Sequence, residues 1–223
     1  MHAHNDTSDD IFLAWIRGWA RTREVDPPVA HADGFRIDVG LPRQAARYVF
    51  PCPSGAITGL GHSVTQPWVF IKACATSQQL RALLPPHWRI EDLHYMMTCD
   101  ARPFPGSSGV PAGYRLEIDD SALATGRAHV HVVAPDDTPA AAGHLVLGTR
   151  LAIYDRIVTE PAHQRRGLGR AVMHALQTLA RTHGRHEGVL VATDEGRALY
   201  ASLGWHLHSP WAGAVIPGAD DAA

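Results

Sequence analysis

Cysteine is scarce in this sequence, and neither charge is in excess. Cys52, Cys74 and Cys99 are widely spaced, odd in number and without a CxxC pair. That pattern argues against a disulfide framework and a thiolate zinc site, and it suits a reducing compartment. Lys plus Arg number 20 against 22 Asp plus Glu, so no overall field gathers nucleic acid or an anionic membrane surface. Any anion site must be local. No apolar run approaches the roughly 18 residues that span a bilayer, and the opening MHAHNDTSDD lacks the basic-then-apolar character of a signal peptide. What is present, 45% hydrophobic and 19% charged residues, is the composition of a globular chain, expected in the cytoplasm. The 15 histidines each titrate near neutral pH.

Hydrophobic periodicity supplies the elements. Ser8 is placed to cap a helix with Ile11, Phe12, Trp15, Ile16 and Trp19 on one stripe, ended by Pro27 and Pro28. Alternation from Phe35 to Leu41 and the apolar run from Trp68 to Ala75 read as strands around a Gly- and Pro-rich stretch. A short helix follows Thr76 or Ser77 and stops at Pro85, and His94 to Thr98 reads as another strand. The segment Arg102 to Gly113, rich in Pro and Gly, is taken as the boundary between regions 1–110 and 111–223.

Past that boundary, Ala128 to Ala134 and Gly143 to Leu147 read as a hairpin and Leu151 to Thr159 as the next strand. Gly169 to His183 is the clearest helix, with Val172, Leu176, Leu179 and Ala180 on its apolar face and Arg170, Gln177 and Arg181 elsewhere. A short strand to Ala192 and a helix ending at Gly204 complete an α/β order. Both halves carry a buried strand, a Thr, a short helix and a Trp at one interval, Thr76 to Trp88 and Thr193 to Trp205. The echo raises an internal duplication.

The chemistry concentrates in Gln164-Arg165-Arg166-Gly167-Leu168-Gly169-Arg170, between a strand and the strong helix. A helix start exposes backbone N–H groups and the positive end of the macrodipole, and glycines let an anion approach them. Arg165, Arg166 and Arg170 add local positive charge. A P-loop would need Lys then Ser or Thr after the last Gly, where Arg170-Ala171 stands. A Rossmann fingerprint would need a small residue at Val172.

The segment resembles the signature of the GNAT superfamily, Gln/Arg-x-x-Gly-x-Gly/Ala after a strand and a Pro, here Pro161. Ala198 to Trp205 is similar to the family's Leu-Tyr-x-x-x-Gly-Phe pattern, with Trp205 in place of Phe. The resemblance covers about 55 residues, from Leu151 to Trp205, and leaves residues 1–110 without a family motif. It implies a GNAT acyltransferase fold of the α/β (α+β) class. A mixed central sheet would be flanked by helices, and the N-terminal region would be a degenerate GNAT-like half.

By the same resemblance, the amides of Arg165 to Arg170, Leu168 included, would hold the diphosphate of acetyl-CoA, and Ile157, Val158 and Thr159 its pantetheine arm. An amine would attack the thioester directly, with a backbone N–H near Val158 facing the oxyanion. Tyr200 falls where relatives carry the acid that protonates the thiolate. Its other reading is a core tyrosine. Strand alternation puts Ile153, Asp155, Ile157 and Thr159 on one face and Tyr154, Arg156 and Val158 on the other. Asp155 is the central carboxylate and a candidate base, or else an ion-pair partner of a neighbouring Arg. His129, His131 and His144 are further base candidates, and no ligand spacing among them specifies a metal. The acceptor expected is a small-molecule amine, with no nucleic acid, membrane or metal involved and a homodimer left open. A noncatalytic acyl-CoA-binding module is the rival reading.

Overall fold

Residues 3–107 and 109–218 are described in the computed structural model. By contacts the chain divides into one unit of Met1–Met96, Val191–Asp194 and Leu207–Ala223 and a second of Met97–Leu190 and Glu195–His206.

The first unit opens with α1 (Ala3–Thr22), whose Phe12, Trp15, Ile16 and Trp19 are buried. The stripe is as expected, but the helix begins upstream of Ser8, which therefore lies inside it and is no cap. After it come β1 (Val29–His31), β2 (Gly34–Leu41), β3 (Gln44–Phe50), α2 (Gly55–Ser63), β4 (Val69–Ala73), α3 (Ser77–Leu83), β5 (Arg89–Ile90) and β6 (His94–Cys99). Strands β1, β2, β3 and β4 are neighbours in that order, antiparallel except for the parallel pair β3–β4. The chain's last strand, β12 (His206–Val215), pairs antiparallel with β4 and with β5.

The core of this unit is Phe50, Ile57, Ile71, Leu80 and Trp88. Trp88 is fully buried and its indole N–H donates to the Gly61 carbonyl at 2.9 Å, so its polar atom keeps a partner. Thr76 starts α3 with a reciprocal capping box to Gln79.

The second unit holds β7 (Arg115–Asp119), β8 (Arg127–Val133), β9 (Pro139–Leu147), β10 (Leu151–Thr159), α4 (Leu168–Thr182), β11 (Glu187–Ala192) and α5 (Asp194–Ser202). Strands β7 to β10 form an antiparallel meander, and β10 pairs parallel with β11. Val172, Leu176 and Ala180 of α4 are fully buried. At Gly143 of β9 a Cβ would lie 2.7 Å from both Ile157 Cδ1 and Val172 Cγ1. Only glycine lets helix and strand approach this closely.

Segment 102–113 is strapped to α4 by its described residues. Gln177 is buried, accepts from the Phe104 N–H at 2.8 Å and donates to the Arg102 carbonyl at 3.0 Å. It was expected off the apolar face of the helix. Buried amide partners more than 70 residues upstream hold it on the inner side instead.

Candidate functional site

A single extra residue in β10 reorganises the site. The register of β10 with β9 runs Ile153↔Val146, Asp155↔His144, then Val158↔Ala142, with a bulge between Asp155 and Val158. Arg156 sits inside it at φ 52, a left-handed conformation costing roughly 1 kcal/mol in a non-glycine residue. The bulge reverses the alternation beyond it. Asp155 and Val158 therefore share the face of His144 and Ala142, whereas Ile157 turns to the α4 side beside Gly143. Simple alternation, which grouped Asp155 with Ile157 and Thr159, is corrected by that one inserted residue.

On its other side β10 pairs with β11 only through Leu151, Ala152 and Ile153. From Tyr154 to Thr159 the described ladder with β11 has ended, although the strand continues. Backbone groups along that edge are thereby released from the sheet.

After β10 the chain makes a 3₁₀ turn at Pro161–His163, and Gln164 folds back with its side-chain N–H donating to the Thr159 carbonyl at 3.4 Å. Arg165 and Gly167 then take φ of 62 and 80. Gly167 caps α4 with no side-chain hydrogen bond, which leaves the first N–H groups of the helix available to an anion. Nothing lies within 4 Å of where a Gly167 Cβ would stand, so that side of the turn is open. At Gly169 a Cβ would meet Leu199 at 3.2 Å and Thr159 at 3.5 Å. The second glycine lets the turn, α5 and the end of β10 close up.

The three arginines differ. Arg166 donates to the Tyr114 hydroxyl at 3.0 Å, and that hydroxyl lies 3.0 Å from His163 Nδ1. Arg170 donates to the Pro105 carbonyl at 3.2 Å and to the Ser202 hydroxyl at 2.8 Å. Both brace the turn against its neighbours, while Arg165 is exposed. Tyr114 was missed in the sequence, because it lies 52 residues from Arg166, just past the segment Arg102 to Gly113 taken as the boundary.

Tyr200 is buried on α5. Burial raises its pKa, and the nearby Asp155 carboxylate raises it further. The two catalytic candidates are thus electrostatic neighbours. The chain leaves α5 through Gly204 at φ 87, and the Trp205 ring lies 6.2 Å from Tyr200 and 5.1 Å from Tyr154.

The sheet face that carries Asp155 is lined by histidine. His129 pairs with His144 across β8 and β9, with ring centroids 4.0 Å apart. Burial, then the charges of His129 and Arg156, push the His144 pKa down to about 4, while Asp155 opposes the shift. A cavity of about 220 Å3 opens beside the half-exposed Val158, bordered by Glu117, His131, Ala142 and Glu160. Among the described residues no group of His, Cys, Asp and Glu is arranged to hold a metal ion. No described helix is long and apolar enough to cross a membrane.

Residues 126–207 match the acetyltransferase (GNAT) domain model. No curated protein matches the sequence. Among solved structures, the fold is similar to a GCN5-related N-acetyltransferase from Kribbella flavida, at 13% identity over 94% of this chain and 96% of that one, TM-score 0.63. It is similar also to a GCN5-related N-acetyltransferase-like protein from Streptococcus suis, at 10% identity over 94% and 97%, TM-score 0.60. A tandem GNAT protein from the clavulanic acid biosynthesis pathway aligns over 99% of this chain and 98% of its own, at 13% identity and TM-score 0.53. That tandem arrangement fits a first half that is a degenerate copy of the second. The splayed strand, open glycine turn and amphipathic helix all lie within the segment that matches the acetyltransferase (GNAT) domain model.

Proposed function

We propose that the protein is a cytoplasmic N-acetyltransferase that moves an acetyl group from acetyl-CoA to a small-molecule amine by direct attack on the thioester. One observation carries this reading: the bulge at Arg156 turns Asp155 and Val158 to one face while the ladder to β11 stops short. The open edge of β10 suits the amide-bearing pantetheine arm, and the bare amides of the Gly167 turn suit its diphosphate. The Val158 N–H is the donor proposed for the oxyanion.

Tyr200 supplies the proton to the departing thiolate in this scheme. A buried phenol is a weaker acid than a free one, yet burial raises thiols too. In this protein burial pushes the Cys99 thiol up to about 12. Acid and leaving group would therefore stay matched inside the site. Asp155, adjoining Tyr200 and facing the histidines, accepts the amine proton.

Release of CoA thiol from acetyl-CoA, followed across amines, aminoglycosides and peptides, tests the reading. Turnover is expected with at least one small amine and is reduced in Tyr200→Phe. Tight acetyl-CoA binding with no turnover across the whole range would favour a noncatalytic binding module instead.

A further inference from the structure

The register of β7 to β10 lines up four side chains in one lateral row on the face away from α4: Asp119↔His129, His129↔His144 and His144↔Asp155. Directly paired residues point to the same face, and neighbouring strands lie about 4.8 Å apart, so the row crosses about 14 Å. The next row reads Glu117, His131, Ala142, Val158. It is interrupted by Ala142, so only the first row is continuous in ionisable groups.

We propose that the row Asp155–His144–His129–Asp119 conducts to solvent the proton that acyl transfer sheds. The proposal rests on the acyl-transfer reading above. When the amine nitrogen bonds to the thioester carbon and the C–S bond breaks, an acceptor that arrives as an ammonium ion loses two protons. One ends on the leaving thiolate by way of Tyr200. The other has to leave the site.

Asp155 stands at the junction, next to Tyr200 electrostatically and paired with His144 in the sheet. His144 Nδ1 is buried without a hydrogen-bond partner among the described residues, so the ring has an open position for a proton in transit. The groups facing His144 are His129 and His131 from β8 and Asp155 and Arg156 from β10. Burial first, then the charges of His129 and Arg156, keep it neutral against the pull of Asp155, and a neutral imidazole accepts on one nitrogen while donating from the other. It passes a proton on and does not trap it. At the far end Asp119 is exposed on β7, and hydrogen bonds from Ser121 keep its carboxyl below the usual range. A proton delivered there is released to water.

The test uses the full chain with acetyl-CoA and spermidine, a multiply charged primary amine chosen because Glu117 and Glu160 border the cavity at Val158. Calorimetry of acetyl-CoA binding comes first, since failure there sinks the acyl-transfer reading separately from the row. His129→Gln should lower kcat about 10-fold with KM for acetyl-CoA unchanged, enlarge the solvent isotope effect, and be partly restored by added imidazole. Asp119→Asn should follow the same pattern more weakly. His186→Gln, at an exposed residue outside the row, should change kcat less than about 2-fold. Equal losses in His129→Gln and His186→Gln, or no restoration by imidazole, would overturn the row. If spermidine is not acetylated, the imidazole resonances decide: Asp119→Asn must shift the His144 titration midpoint, and an unshifted midpoint rejects the proposal.

Discussion

The two halves of this chain contain the same strand–helix–strand unit, in one case closed and in the other open. In the first, β3 and β4 are parallel and paired through five residues, Ala46–Phe50 with Val69–Ala73. In the second, β10 and β11 are parallel but paired only at Leu151–Ile153. The entry to α2 is Phe50-Pro51-Cys52-Pro53-Ser54, whose prolines lack N–H donors, whereas the entry to α4 holds Arg165 and Gly167 at positive φ. The two units thus share a strand–helix–strand topology and differ in two local departures, the bulge and the turn, on which the proposed acyl-CoA binding rests.

The largest effect expected is at the open turn. Gly167→Val forces a β-branched residue to φ 80 and fills the free side of the cradle, and should weaken acetyl-CoA binding about 100-fold or more by calorimetry. A glycine change at the start of α2 in the closed unit, Gly55→Val, faces empty space at ordinary φ and should leave that affinity unaltered. Comparable losses from both would mean that the first half also binds the coenzyme.

Tyr200→Phe separates chemistry from binding. Removing the buried hydroxyl should lower kcat by about 30-fold while acetyl-CoA affinity stays within about 2-fold. A smaller fall would return Tyr200 to a packing role beside Trp205.

The closed unit makes a different demand. Lys72 on β4 is buried and lies 2.5 Å from Glu91. Burial lowers its pKa, and the Glu91 carboxylate opposes the shift. Glu91→Ala leaves that ammonium without its carboxylate and should cost about 2 kcal/mol in denaturant unfolding, part of the pair being reached by solvent. Acetyl-CoA affinity should not follow, because the change falls in the closed unit.

Much of this contrast was legible in the residues, and the part that was not has physical causes. The Gly167–Gly169 turn and α4 stand out because glycine and a strong apolar stripe are local signals. The Thr76 cap and both tryptophans after the short helices were likewise readable. The bulge was not, since Leu151 to Thr159 was read as one unbroken alternation: the polar pair Asp155-Arg156 before the apolar pair Ile157-Val158 interrupts the pattern, but nothing in it marks Arg156 as the inserted residue. Strand β3 and helix α2 were hidden in a stretch dominated by Gly and Pro. The strap over α4 depends on Gln177 and Tyr114, whose partners lie 49 to 75 residues away, beyond any periodicity.

The smallest expected effect concerns the histidine face, which the closed unit lacks: there β2 and β3 oppose Arg36 to Tyr48 and Asp38 to Ala46. His144 is held down to about 4 in the fold, against about 6.5 in an unfolded chain. Between those values the unfolded state takes up a proton that the native state refuses, so stability is lost as pH falls from about 6.5 toward 4 and is unaffected by this group above that window. The ring is only half-buried, and screening reduces the contribution to about 1 kcal/mol. His144→Gln should flatten that part of the pH profile of the urea midpoint. An unchanged slope would assign the acid sensitivity to other groups and leave His144 outside the coupled row.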